Sequence, residues 1–260
     1  MQDPIWRLNR ANFEPEELAA LGLGRLLSRV LAGRFPSAKE AYEFAVACRT
    51  TVPSAIPELA GTAALVIAHA RRGKVLVSGD YDADGICATA MLVLWLEQLG
   101  AAVDWYLPDR AAGYGFGREA VEKAARVGAT LVIAVDSGTN NAETCRLARE
   151  KGIDVAVVDH HEPLYGRPPV NCFVNPRYDR GRMEFTDYCT AGLVYKLIEE
   201  MALRLKRPVP PELIVLAAVA TVGDVMPLVH ENRYLVKQGL MLWPVVDLPG
   251  IAALREACGL

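Results

Sequence analysis

Three aspartates alternate in Gly79-Asp80-Tyr81-Asp82-Ala83-Asp84-Gly85, directly after the apolar run Val75-Leu76-Val77. The same arrangement recurs downstream. Leu131–Val135 ends at Asp136, and Val155–Val158 ends at Asp159-His160-His161, which holds two of the four histidines in the chain. The apolar segment Ile214–Val222 ends at Gly223-Asp224. Carboxylates are hard oxygen ligands suited to Mg²⁺ and Mn²⁺, and an imidazole tilts the set toward Mn²⁺. A structural zinc site would want thiolates or a closed tetrahedral set. So many anionic and imidazole groups exceed what one octahedral ion ordinarily takes from protein, which favours two ions bridged by shared carboxylates. Paired ions about 3.5–4 Å apart are common machinery for phosphoester hydrolysis: one lowers the pKa of a bound water, and both stabilise charge on the phosphorus centre.

Blander readings exist for each piece. An Asp-rich loop can be a turn with helix-capping side chains; Asp136 alone would be a cap, and Asp224 alone a turn residue. Their weight comes from recurrence at four segment ends. An EF-hand is a poor rival, because the Glu it requires at a fixed offset is missing. Alternate side chains share a face in extended backbone. Asp80, Asp82 and Asp84 are therefore expected to share a direction as the strand turns into a loop, with Gly85 letting the chain bend into the next helix. An adjacent histidine pair at a strand end points to metal binding by one ring and substrate contact or proton transfer by the other. His69, within a helix, and His230, after a loop, are read as structural.

Positioning these groups requires a scaffold that gathers segment ends. Open α/β sheets do so, placing functional residues at the carboxyl ends of parallel strands. From Gly73 the sequence alternates between strand and helix patterns, the signature of a parallel sheet covered by helices. The expected strands are Val75–Gly79, Val103–Leu107, Leu131–Val135, Asp154–Val158 and Cys172–Val174. Helices are expected near Ile86–Leu99, Arg118–Arg126, Asn141–Lys151, Ala191–Leu205 and Pro211–Val222. The fold class is thus α/β, a parallel sheet of about five strands flanked by helices. The first part of the chain reads as a helical segment, residues 1–72, with a helix opening at Pro15-Glu16-Glu17, a second from Ser37 through Cys48, and a third reaching about Arg72. The catalytic domain is expected over residues 73–260.

Composition sets outer limits. The chain has 260 residues, is 52% hydrophobic and carries a net charge of −3, enough for one substantial core with an appendage. No global positive field advertises a nucleic-acid partner, although a local basic groove and bound cations can handle phosphates in an acidic protein. The six cysteines form no CxxC pair. No signal peptide is expected from the opening residues Asp3, Pro4 and Arg7, and no apolar run reaches bilayer-spanning length. A reduced, cytoplasmic protein with no membrane partner is expected.

The motifs GDYDADG (Gly79–Gly85), VDSG (Val135–Gly138), DHH (Asp159–His161) and TVGDVMPL (Thr221–Leu228) resemble, in order, those of the DHH phosphoesterase superfamily. Within it they are most similar to the RecJ family of bacterial single-strand-specific 5′-to-3′ exonucleases. Tyr106–Arg110 followed by Gly113-Tyr114-Gly115, and Thr190–Val194, resemble further segments of that family. The resemblance covers roughly Trp6 to the C-terminus. It implies Asp82, Asp84, Asp136, His160 and Asp224 as metal ligands for two Mn²⁺ ions (Mg²⁺ as an alternative), with Asp84 and Asp136 shared between them. It implies Asp80 and Asp159 as outer-sphere orienters or occasional ligands, and Arg110 as a phosphate-binding residue. His161 would contact the scissile phosphate or assist the leaving group; catalysis would rest on His161, Asp136 and Asp84. The implied partner is single-stranded DNA, with Tyr114 and Phe116 as candidates for base stacking and a single-strand-binding protein or helicase as a further partner. Ser78 stands where many members carry a histidine, and Ala112 where a glutamate is usual. The family's second, substrate-clamping domain, with its Gly-Gly-His signature, is expected to lie beyond this chain, so metal binding should survive better than turnover. Two other functions fit the motifs: a DHH enzyme acting on short oligonucleotides, cyclic dinucleotides or pyrophosphate, and a non-catalytic replication or repair scaffold. The intact ligand set speaks against the scaffold.

Overall fold

Five short apolar runs build one all-parallel sheet, with strand order β2-β1-β3-β4-β5. The strands are β1 (Lys74–Ser78), β2 (Ala102–Tyr106), β3 (Ala129–Val135), β4 (Asp154–Val158) and β5 (Cys172–Val174). All five expected strands are present, with ends shifted by a residue or two. The computed structural model describes residues 9–45, 51–110 and 115–259. The central strands are buried on both faces, which explains why they read as near-continuous Val, Ile, Leu and Ala rather than as an alternation. Their side chains nonetheless alternate between two cores. Val75, Val77, Leu131, Ile133, Val135 and Val158 face one, and Leu76, Val132, Ala134, Val155 and Val157 face the other.

The first core is covered by α4 (Leu59–Arg72), α5 (Ala83–Gln98), α8 (Thr190–Leu205) and α9 (Leu213–Gly223). The second is covered by α6 (Arg118–Arg126) and α7 (Ala142–Glu150). Chain order explains this split. β1 leads outward to β2, and the chain then returns past β1 to β3 and onward to β4 and β5. The reversal puts a crevice between the carboxyl ends of β1 and β3, where open α/β sheets bind ligands.

The chain divides into two units, Met1–Thr50 and Thr51–Leu260. This differs from the expected boundary at residue 72. Leu59, Ala63 and Val66 of α4 are fully buried in the main core beneath the sheet, so α4 belongs with the strands. The first unit contains α1 (Pro15–Ala20), α2 (Arg25–Ala32) and α3 (Ala38–Ala45) around Leu18, Leu31 and Ala41. Residues 46–48 of the expected second helix lie outside the described residues. The sequence reading did not single out α2, nor α10 (His230–Leu242) and α11 (Pro249–Ala257) at the other end.

Three of the four acidic segment ends are strand ends, and the fourth follows helix α9, the helix expected near Pro211–Val222. Its alanines favour helix. One correction concerns the alternating aspartates, which do not share a single extended run. β1 ends at Ser78, Asp82 caps α5, and Asp84 is already in its first turn. Among the described residues, no helix is long and apolar enough to cross a membrane.

Candidate metal centre

Strand ends, a helix start and a helix end converge here. After β1, the Asp82 carboxylate accepts hydrogen bonds from the backbone N–H groups of Asp84 and Gly85, both at 3.0 Å. The capping role thus falls on a residue also expected to be a metal ligand. Gly85 is needed for a reason other than bending. A Cβ there would lie 2.5 Å from Asp80 N and 2.6 Å from Asp80 O, so only glycine lets the first turn of α5 press against the end of β1.

Asp84 is almost wholly buried and faces the start of α8. Its two oxygens accept from Thr190 N at 2.6 Å and Ala191 N at 2.7 Å, N–H groups that a helix start leaves without partners inside the helix. Thr190 Oγ1 lies 3.1 Å from Asp136 Oδ1, tying the ends of β1 and β3 to the same helix terminus. Asp136 follows β3 with φ 57°, a left-handed conformation that Asp tolerates better than most residues.

The DHH triplet follows β4. Asp159 Oδ1 accepts from His160 N at 2.8 Å, His161 N at 3.2 Å and the His161 ring Nδ1 at 2.7 Å, while Oδ2 accepts from Thr139 N at 3.1 Å. With both oxygens engaged and the side chain buried, Asp159 fixes the loop and the ring of His161. The hydrogen bond from His161 holds the Asp159 carboxylate down at about 2, against the opposing effect of burial. Reciprocally, the bond to Asp159 raises the pKa of His161. His160 behaves differently. Burial, reinforced by the neighbouring His161 charge, lowers it to about 4, leaving a neutral imidazole able to donate a lone pair.

Asp224 caps the C-terminus of α9. Asp224 N bonds to Ala220 O and Met226 N to Thr221 O, closing a Schellman-type turn with Val225 at φ 55°. Glycine ordinarily occupies that position; a β-branched residue there is strained.

At the centre is His160 Nε2, 3.5 Å from Asp136 Oδ1, 3.6 Å from Asp224 Oδ2 and 3.8 Å from Asp84 Oδ2. Donor atoms around an ion about 2.1 Å from each would have comparable separations. Three groups of possible ligands lie close together: Asp136 with His160 and His161, Asp84 with His160 and Asp224, and Asp80 with Asp82 and Asp136. Asp136 and His160 each appear twice, a pattern compatible with adjoining ion sites. The electrostatics support the fit. Burial and then the charges of neighbouring carboxylates push Asp136 far upward, and burial raises Asp84 to about 6. Asp80 and Asp224 are also raised, with burial the first cause. Asp80 Oδ2, Asp136 Oδ2, Asp224 Oδ2 and His160 Nδ1 are buried atoms with no protein hydrogen-bond partner. Polar atoms so crowded and so poorly satisfied are costly unless a cation neutralises them.

The remaining sequence candidates are placed less centrally. Arg110 is exposed, its guanidinium 5.3 Å from the Tyr81 ring between Asp80 and Asp82 in sequence. Phe116 is fully buried against α6 and the sheet, a core residue rather than a surface for bases. Tyr114 lies outside the described residues. His69 is structural, bonded to Thr130 Oγ1 at 2.9 Å and Asp154 Oδ2 at 3.1 Å. Thr190 opens the matching segment Thr190–Val194, but sequence reasoning assigned it no role and missed Asn175, whose Nδ2 donates to Thr139 Oγ1 at 2.8 Å and His161 O at 2.9 Å. The partners of both are distant in the chain.

Residues 74–221 match the DHH family, N-terminal domain. The single-stranded-DNA-specific exonuclease RecJ of Thermus thermophilus is 40% identical over 200 residues, covering 76% of this chain and 29% of that protein. Its Bacillus subtilis counterpart is 37% identical over 174 residues, covering 66% of this chain and 22% of the relative. A crystal structure of exonuclease RecJ bound to manganese superposes with a TM-score of 0.72 at 37% identity, over 78% of this chain and 52% of that one. The T. thermophilus RecJ structure in complex with Mn²⁺ gives 0.76 at 33% identity, over 92% and 34%. The chain therefore spans about a fifth to a third of the length of the curated relatives it matches. The fold and the matched motifs lead to one identification: the chain belongs to the DHH family.

Proposed function

We propose that this chain is the metal-dependent phosphodiesterase core of an exonuclease that removes nucleotides from the 5′ end of single-stranded DNA. The observation carrying this reading is the placement of His160 Nε2 among three carboxylates drawn from α5, β3 and α9. The similarity to RecJ proteins supplies the substrate class and direction, and the manganese in two related structures supports Mn²⁺ as the metal.

Asp82, Asp84, Asp136, His160 and Asp224 would hold two divalent ions. When bound, these ions supply a water of lowered pKa and positive charge at the phosphorus centre. The protein's part is positioning. The α8 N-terminus aligns Asp84, the Asp82 cap fixes the first turn of α5, and Asp159 locks the ring of His161. With the proton held at Nδ1 against Asp159, His161 meets the substrate through Nε2, and its raised pKa suits it to support the leaving oxygen. Arg110 stands beside Tyr81 as a candidate for a more distant phosphate.

Calorimetry with Mn²⁺, run beside cleavage of a 5′-phosphorylated single-stranded oligonucleotide, tests the reading. Two ions per chain and mononucleotide release from the 5′ end, both abolished in Asp136→Ala, are expected. Absence of metal binding by the native chain would overturn it.

A further inference from the structure

Beyond the phosphate that bound ions would meet, the other phosphates of a strand need protein cations, and the sequence motifs nominate only the exposed Arg110. The loop after β5 offers another. Asn175 is buried at the end of β5. Its Oδ1 accepts from Arg177 N at 2.8 Å and Tyr178 N at 3.2 Å, while its Nδ2 reaches Thr139 Oγ1 and His161 O. One amide thus joins the loops after β3, β4 and β5 and fixes the turn carrying Arg177 to the backbone of the DHH triplet. The Arg177 side chain is 31% exposed, and its Nη1 lies 3.8 Å from Oε2 of Glu162, the residue after His161. That spacing is too long for a hydrogen bond. The same Glu162 oxygen is held more closely by Arg180 Nη2, at 2.8 Å. Arg177 is therefore fixed at its backbone and only loosely paired at its tip.

We infer that Arg177 is a second phosphate-binding residue of this site, exchanging its loose contact with Glu162 for the phosphate oxygens of a bound nucleotide strand. This rests on the phosphodiesterase reading and deepens it. Guanidinium suits the role because its planar array of donors matches phosphate oxygens. Arg180 retains Glu162 when Arg177 turns away, so the exchange leaves no carboxylate without a partner.

The test uses the whole chain loaded with Mn²⁺ and a 5′-phosphorylated oligonucleotide whose terminal linkages are phosphorothioates to slow cleavage. Fluorescence anisotropy follows binding from about 50 to 200 mM salt. Arg177→Gln should weaken binding about 10- to 100-fold and flatten the log–log salt slope by about 0.7, the loss of one phosphate contact on a single strand. Arg177→Lys should recover part of the affinity and the slope. Arg182→Gln, which removes an exposed charge paired with Asp179, should change neither. Calorimetric Mn²⁺ stoichiometry should match the native chain in every variant, showing that the fold and centre are intact. Native affinity and salt slope in Arg177→Gln would overturn the assignment of Arg177 alone. A native chain that binds Mn²⁺ but no oligonucleotide would also overturn it. A native chain that binds neither would remove the phosphodiesterase reading, and Arg177 with it.

Discussion

Asp136 and Asp159 show how one residue type takes opposite roles a few ångströms apart. Asp159 is saturated with donors and its pKa falls to about 2, whereas Asp136 sits among other carboxylates and its pKa rises strongly. Without metal, burial and the neighbouring carboxylates favour the protonated form of Asp136, and Asn mimics that form while keeping an oxygen for Thr190. Asp136→Asn in chelator should stay within about 1 kcal/mol of the native chain, while the Mn²⁺-induced rise in Tm disappears; differential scanning calorimetry reads both. Metal must also displace the Asp136 proton, so Mn²⁺ titrations in buffers of different ionisation enthalpy should show proton release near pH 7 that the variant loses. At Asp159 the sign reverses. A depressed folded pKa gives stability that is present above about 4, the ordinary carboxylate value, and lost as pH falls toward 2. The partner His161 has a raised folded pKa, so its contribution is full below about 6.5 and fades as pH rises through the folded value. Asp159→Asn should thus lower the His161 pKa in an NMR titration and cost about 2 kcal/mol in charge-assisted hydrogen bonds. An unchanged His161 titration would show that Asp159 does not control that ring.

The same residues are presented by elements whose ends are unusually constrained. Gly85→Ala would drive a methyl group into the Asp80 backbone, which cannot give way as a flexible side chain would. The variant should lose about 1–3 kcal/mol and bind Mn²⁺ more weakly, since Asp80, Asp82 and Asp84 all move with that turn; a chelator-corrected thermal melt and calorimetry separate the two effects. The turn at the end of α9 predicts the opposite. Val225→Gly relieves a β-branched residue at φ 55° and should stabilise the chain by about 1 kcal/mol, leaving Asp224 in place. The legibility of the sequence divides along similar lines. The five strands and most of the covering helices could be read because local apolar runs and breaks specify them. Helix α9 is nearly all apolar, so its length and alanines, rather than a polar face, mark it as a helix. The alternation of Asp80, Asp82 and Asp84 suggests one extended run, but the Asp82 cap starts a helix at Ala83, so Asp84 is helical. Asn175 and Arg177 carry no local signal, and the segment opening at Thr190 does not disclose its partner: Thr190 meets Asp84 across 106 positions of sequence, a pairing that only the folded sheet creates.

At the scale of the whole chain, every group assigned to the centre comes from the unit Thr51–Leu260, and that unit has its own two-sided core around the sheet. The N-terminal unit has a separate small cluster around Leu18, Leu31 and Ala41. Burial of the sheet and its helices supplies most of the hydrophobic stabilisation, at about 25 cal/mol per Å² of apolar surface, and the proposed metal ligands are fixed by contacts within the same unit. Thr51 marks a natural place to cut, because its backbone N–H bonds to the buried carboxylate of Glu231, itself paired with Lys196; removal of residues 1–50 keeps this clasp. The piece 51–260 should therefore fold cooperatively and bind Mn²⁺ with the stoichiometry and affinity of the full chain, whereas its affinity for an oligonucleotide is free to differ. Calorimetry on the two lengths checks this directly. Equal metal binding would assign the centre wholly to the sheet-containing unit. A marked loss in a piece that still melts cooperatively would show that the N-terminal helices help to hold the ligand set, contrary to the contacts on which the site is built.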